Sequence, residues 1–262
     1  MEKDFHVFEN GIKVYRHHLL PSQIERYEKI RNVHEADEED LFLQVLKSSS
    51  QIECFLSIGS AIGYYPLLAK KTLPSVIIHT FEPLDFFRKC FRENIKLNGF
   101  EPESFIIHSE CVSSLKERVY FVEAKYGSKV LGSKHNNQIL GLRVKIFIKN
   151  LLTELRIKNY QKSKITIAST ISLAELIQSV GRPIDFMQMD VQGHELEILK
   201  SGEECLQKKL IRTIMTGTHG SEIHDACIQL LKKYDYQIIA NEPSTKHQPD
   251  GIILASNNFI EL

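Results

Sequence analysis

Ile52-Glu-Cys-Phe-Leu-Ser-Ile58-Gly59-Ser60-Ala61-Ile62-Gly63-Tyr64-Tyr-Pro-Leu-Leu68 is the stretch on which the reading of the fold turns. An apolar run ends at Ile58, two glycines follow, and an apolar-rich segment continues to Leu68. That order predicts strand, tight turn and helix, the opening unit of a nucleotide-binding α/β sheet. Glycine admits φ > 0 and lets a ligand approach the backbone with no Cβ in the way. The helix start then offers unpaired N–H groups to an acceptor. A pair of glycines with this spacing is common in loops, so the turn takes its meaning from the next strand and the acid at its tip.

Val76-Ile-Ile-His-Thr-Phe81 is β-branched and nearly continuous in apolar character, the pattern of a second buried strand. It ends in Glu82-Pro83, nineteen positions after Gly63. An acid at that distance, at the tip of the second strand, accepts hydrogen bonds from ribose hydroxyls in dinucleotide-type sites. A carboxylate suits the task because it takes two hydroxyl donors at once.

With 262 residues the chain can bury a sizeable core. The expected organisation is an N-terminal extension (1–50) and one α/β domain (51–262) carrying an insertion at about 127–164. Lys plus Arg equal Asp plus Glu at 33 each, so no whole-protein field draws the chain to nucleic acid. Five widely spaced cysteines without a Cys-x-x-Cys pair read as reduced thiols of a cytoplasmic protein, not as a disulfide frame or zinc site. Neither a secretory signal pattern nor an apolar run of membrane-spanning length is present.

In the extension, Phe5–Phe8 and Ile12–Tyr15 flank an Asn10-Gly11 turn, a hairpin pattern, and Pro21 opens a helix to about Arg31. The acids Glu35, Asp37, Glu38, Glu39 and Asp40 precede Leu41–Leu46 and read as acids favourable to a helix macrodipole. Helices are expected over Leu84–Leu97, from the Ser172–Glu175 capping box to Val180, over His194–Ser201, and after Ser221 with Ile223, Cys227, Leu230 and Tyr234 inward. Strands are expected at Glu103–His108, Val119–Val122, Lys164–Ala168, Ile184–Met189 and Leu210–Met215, with Tyr236–Ile239 and Gly251–Leu254 as a closing antiparallel pair. The sum is a seven-stranded mixed sheet with helices on both faces. Between Gly127 and Lys164, nine Lys or Arg residues stand against Glu154 alone among many apolar residues. This reads as a basic helical insertion: a helix packed on the body, a lid, a face for a second copy, or an interfacial helix at a membrane.

In an open α/β sheet, ligands sit outside the carboxyl ends of the strands. Those ends carry Gly59 to Gly63, Glu82, His108 to Glu110, Asp190 and His219. Here the chain resembles the FkbM family of S-adenosylmethionine-dependent methyltransferases. The resemblance rests on Ser57–Tyr65, Phe81-Glu-Pro83, Ile171–Leu176 and, most specifically, Asp190-x-Gln-Gly-x-Glu195 with Leu199 and Gly202, and covers roughly residues 50 to 256. It implies a class I methyltransferase (Rossmann-like) fold, S-adenosylmethionine as cofactor, and hydroxyls of sugars, glycans or natural products as acceptors. Gly59, Ser60, Ala61, Gly63, Tyr64, Glu82, Pro83, Ser109, Glu110 and Asp190 are the residues expected at the cofactor. Two positions depart from the family's pattern. The acid often found two residues before the first glycine is Ser57, and the frequent Asn of the turn is Ala61. The task of that acid, steadying the methionine end of the cofactor, then falls to Asp190 or to the N-terminal segment.

The expected chemistry is in-line transfer of a sulfonium methyl to an acceptor oxygen, with His219 or Asp190 assisting deprotonation. His219 is the first choice as base, because a neutral imidazole is available near pH 7. A histidine after a strand can also tie down its loop, and Asp190 can cap the next helix. Glu195 is expected to hold the Asp190–Gly193 turn by hydrogen bonds, and His194 and His224 to be partly exposed. No metal is expected, since the oxygen ligands Asp190, Glu195, Glu222 and Asp225 have no diagnostic spacing. The competing readings are an NAD-dependent oxidoreductase on a similar sheet and a methyltransferase-like scaffold without chemistry.

Overall fold

The structure, a computed structural model, describes residues 4–48, 52–114, 119–123, 129–130, 145, 164–244 and 250–258. Strand β1 (Phe5–Val7) pairs antiparallel with β2 (Lys13–Tyr15), and the Asn10 side chain closes the turn by accepting the amide of Ile12. Pro21 opens α1 (Pro21–Lys29), where its missing N–H leaves no helical bond unmade. Helix α2 (Ala36–Ser48) follows, and Phe8, Ile12, Val14, Tyr27 and Phe42 join the same apolar cluster as Tyr64, Phe91 and Phe186 of the body. Two asparagines fasten the extension to the following domain. Buried Asn94 accepts the amide of Tyr15 and donates to the carbonyl of Ile62, while Asn98 exchanges two bonds with the backbone of Lys13.

The central frame alternates as its apolar runs require: β3 (Cys54–Ile58), α3 (Tyr64–Thr72), β4 (Ile77–Phe81), α4 (Asp85–Leu97) and β5 (Phe105–His108). Phe87, Phe91 and Ile95 of α4 are buried, so the aromatic stripe is core packing. Then come β6 (Cys111–Val112), β7 (Val119–Glu123), β8 (Lys129–Val130), β9 (Lys164–Ala168) and β10 (Thr170–Ile171). Here the structure corrects the sequence reading. Lys129–Val130 is not helical but pairs along one edge of β7, and β9 pairs along the other, giving a small antiparallel sheet apart from the main one. Lys145 is helical, and the rest of the expected basic helix lies outside the described residues.

The second half runs α5 (Leu173–Val180), β11 (Ile184–Met189), α6 (Glu195–Lys200), α7 (Glu203–Gln207), β12 (Ile211–Thr218), α8 (Ser221–Lys233), β13 (Gln237–Glu242) and β14 (Gly251–Ser256). The Ser172–Glu175 capping box is formed, with reciprocal bonds of 3.0 and 3.2 Å. The main sheet has the order β13-β14-β12-β11-β3-β4-β5. Strands β12, β11, β3, β4 and β5 are parallel, and β14 runs antiparallel to its two neighbours. This is the expected class I methyltransferase arrangement. One consequence governs the site: Gly251 pairs with Thr218, so β14 begins where the parallel strands end. All five cysteines are free. Among the described residues no helix is long and apolar enough to cross a membrane.

Candidate active site

The glycine turn is held from three sides. The Gly59 amide donates to Phe81 O, the Gly63 amide to Ser60 O, and the Ala61 amide to Glu82 Oε2 at 3.0 Å. Gly59 and Gly63 adopt φ of 80° and 85°. Their missing side chains make room for the protein itself, not for a ligand as the sequence suggested. A Cβ on Gly59 would lie 1.9 Å from the Asp190 carbonyl oxygen, and one on Gly63 1.8 Å from the Phe91 ring. The end of β11 is thus packed directly on the turn. Glu82 is buried, with its second oxygen accepting the amide of Leu84 at 2.9 Å. Pro83 leads from it into α4, and Ser109 and Glu110 follow β5 on the same edge. Tyr64 points away, its hydroxyl donating to Glu39 at 2.6 Å and accepting from Asn10. The Ser60 and Tyr65 hydroxyls are buried and, among the described residues, without a hydrogen-bond partner.

Asp190 follows β11, its amide bonded to Ile58 O and its carboxylate accepting from Gln192. The turn through Gln192 and Gly193 brings Glu195 back beneath it. Glu195 is 0 % exposed, and its Oε1 accepts both the Gly193 amide at 3.0 Å and His219 Nδ1 at 2.9 Å. The expected turn-holding role is present, and the bond to His219 adds a second. His219 Nε2 lies 3.2 Å from Asp250 Oδ1 and 3.8 Å from Asp190 Oδ1. Burial opposes charge on this ring, but the Glu195 hydrogen bond and the charges of Asp190, Glu195 and Asp250 outweigh it and raise the pKa to about 9. The neutral imidazole expected at pH 7 is therefore corrected to an imidazolium. Asp190 is raised to about 6, by burial first and the charge of Glu35 second. Burial would raise Glu195 as well, but its bonds to His219 and two backbone amides hold it low.

A further acid reaches this edge from the extension. Glu38 on α2 is 6 % exposed and accepts from Gln188 Nε2 at 3.3 Å, while Gln188 Oε1 accepts from Ser57 at 3.0 Å. Burial, the charge and hydrogen bond of Glu35, and the charge of Asp190 drive its pKa well above the ordinary carboxylate range.

Residues 54–238 match the methyltransferase FkbM domain. The chain belongs to the FkbM methyltransferase family. No curated protein sequence matches it. Among solved structures it is similar to magnesium protoporphyrin IX methyltransferase from Synechocystis PCC 6803 with bound SAM (TM-score 0.50, 10% identity, covering 88% of this chain and 83% of that one). It is also similar to the human methyltransferase 10 domain containing protein (TM-score 0.48, 12% identity, 90% and 93% covered) and to M. capricolum TrmK in complex with S-adenosyl-homocysteine (TM-score 0.44, 12% identity, 84% and 69% covered). At such identities the likeness speaks for the fold alone. Family membership decides between oxidoreductase and methyltransferase: this is a methyltransferase whose cofactor is S-adenosylmethionine. The residues fit that group. Glu82 is fixed against the turn, the Ser60 hydroxyl is buried with no partner among the described residues, and the acids around Asp190 suit a ligand bearing positive charge.

The FkbM methyltransferase gathers Gly59, Ser60, Ala61, Glu82, Asp190 and His219 on one edge. The ligating atoms of Asp190, Glu195 and His219 lie within 4.8 Å of one another, whereas Glu222 and Asp225, grouped with two of them in the sequence reading, are exposed on α8. His224, expected at the surface, is buried: its two nitrogens bond Thr218 Oγ1 and Asn241 Oδ1, each at 2.7 Å. His194 is partly exposed, as expected. Asp250 was not singled out in the sequence and Glu38 was read only as an acid favourable to a helix macrodipole, though both left a signal. An antiparallel last strand must start at the edge where its parallel neighbour ends, which brings in Asp250. Glu38 stands four residues before Phe42, and therefore on the buried face of α2.

A cleft at the opposite edge, lined by Glu53, Arg182, Asp185 and Arg212, is a poorer candidate. Asp185 there accepts the amides of Glu53 and Cys54 and pairs with Arg212 at 2.7 Å, and Arg182 pairs with Glu53.

Proposed function

We propose that this FkbM methyltransferase methylates a hydroxyl oxygen of a small acceptor of the sugar, glycan or natural-product class, and that Asp190 takes the hydroxyl proton. The grouping of Asp190, His219 and Asp250 on the edge that holds Gly59 and Glu82 carries the reading. When bound, S-adenosylmethionine supplies an electrophilic methyl group: the oxygen–carbon bond forms as the carbon–sulfur bond breaks, and the electron pair stays on sulfur. Asp190, with its pKa raised to about 6, is ionised at pH 7 yet basic enough to hold a proton. His219, an imidazolium held by Glu195, offsets the mutual repulsion of Asp190 and Asp250. A hydroxyl attacks poorly until its proton has somewhere to go, and a positioned base contributes about 10²- to 10⁴-fold.

The test is mass-spectrometric detection of a product heavier by CH₂ from a panel of sugars, nucleotide sugars and polyketide alcohols, followed by a pH profile on the best acceptor. With Asp190 as base, the rate rises as pH passes through about 6. If it rises only near 9, neutral His219 is the base instead.

A further inference from the structure

At the carboxyl edge, next to the glycine turn, two acids of the extension sit where β3 has none. Position 57, two residues before Gly59, carries a serine whose hydroxyl is spent on Gln188. The other end of that amide reaches Glu38, so a carboxyl from α2 stands over the place of the absent acid. Glu38 lies outside residues 54–238, the part matched to the family. We propose that Glu38, with Glu35 beside it, receives the α-ammonium group of the methionine end of S-adenosylmethionine.

The placement rests on the methyltransferase reading and on three observations. Glu38 is nearly sealed from water, the foremost groups acting on it are Glu35, Asp190 and the Gln188 amide, and among the described residues no lysine or arginine forms an ion pair with it. Like-charged carboxyls held together out of water are unfavourable unless protonated or met by a cation. Independently, the hydroxyl of Tyr65, a residue 7 % exposed, is buried and has no partner among the described residues, and Glu38 and Glu35 are the foremost charges acting on it. A buried hydroxyl is rarely left unbonded unless a water or a ligand completes the site. An ammonium offers three donors in a compact group, matching two carboxyls and one phenolic oxygen. Finally, α2 is tied to the turn's own helix through Glu39, which accepts from Tyr64 at 2.6 Å, so Glu38 is carried on a braced element.

Two ligands that differ only at the amino-acid end test this on the full chain: S-adenosylhomocysteine and 5′-methylthioadenosine, titrated by calorimetry. Glu38→Gln is expected to weaken S-adenosylhomocysteine about tenfold or more, the value of a charge-assisted hydrogen bond, and to leave 5′-methylthioadenosine unchanged. Glu35→Gln and Tyr65→Phe should show smaller losses, again confined to S-adenosylhomocysteine, and they decide the matter should Glu38→Gln fail to fold. Unchanged affinity for S-adenosylhomocysteine, or an equal loss for both ligands, overturns the assignment. Failure of the unaltered protein to bind either ligand is a different result and overturns the methyltransferase reading beneath it.

Discussion

The two edges of the sheet handle charge in opposite ways. At the amino edge, Asp185 meets Arg212 and two backbone amides, and Glu53 meets Arg182, so each charge has its counterpart within the chain. At the carboxyl edge, Asp190, Glu195 and Asp250 surround His219, with Glu35 and Glu38 close enough to act on Asp190 and on each other. Among the described residues, no lysine or arginine pairs with the acids around Asp190. A balanced edge is a structural device. An edge with surplus negative charge, buried hydroxyls that find no hydrogen-bond partner among the described residues and a glycine turn is built for something that arrives.

Substitutions sharpen that contrast in order of expected effect. Asp190→Asn should lower methyl transfer by about 10²-fold or more, as loss of a general base does, measured as product formed per enzyme. Gly59→Ala forces a Cβ onto the Asp190 carbonyl at a φ of 80°. It should destabilise the chain by about 3 kcal/mol in denaturant titration and abolish cofactor binding. His219→Gln, which keeps a donor for Glu195, should reduce transfer at least about tenfold while cofactor binding persists. It should also remove a pH dependence. Folding raises His219 from 6.5 to about 9, so its stabilising contribution is full below pH 6.5 and lost as the pH climbs through 9. Thermal melts of the ligand-free protein should therefore drop over that window, and the variant's should drop less. At the balanced edge, Arg212→Ala should cost about 1 kcal/mol or less and leave transfer untouched. A large loss of activity there would break the contrast.

The strand–turn–helix unit and Glu82 were legible because they obey local rules: apolar runs, a glycine pair and a fixed spacing to the tip of the neighbouring strand. Asp190 and His219 were legible because parallel strands end together. What escaped the sequence was set by tertiary contact. Glu38 and Glu39 read as acids favourable to a helix macrodipole, yet α2 lies on the body and buries both. His224 turned inward because Thr218 and Asn241 satisfy its two nitrogens. The charge on His219 depends on Asp190, Glu195 and Asp250, which come from three segments, and no single stretch announces it. Lys129–Val130, within a run that reads as helical, became a strand because β7 offered an open edge.

The central claim is that the acidic carboxyl edge seats S-adenosylmethionine. Thermal unfolding of the purified chain with S-adenosylmethionine, S-adenosylhomocysteine or NAD tests it most directly. At about a hundredfold excess over the dissociation constant, a ligand adds roughly 2.7 kcal/mol of stability, a rise of several degrees in a chain of this size. That rise is expected with the first two and not with NAD. No shift with either adenosyl ligand would contradict the account and leave a methyltransferase fold that holds no methyl donor.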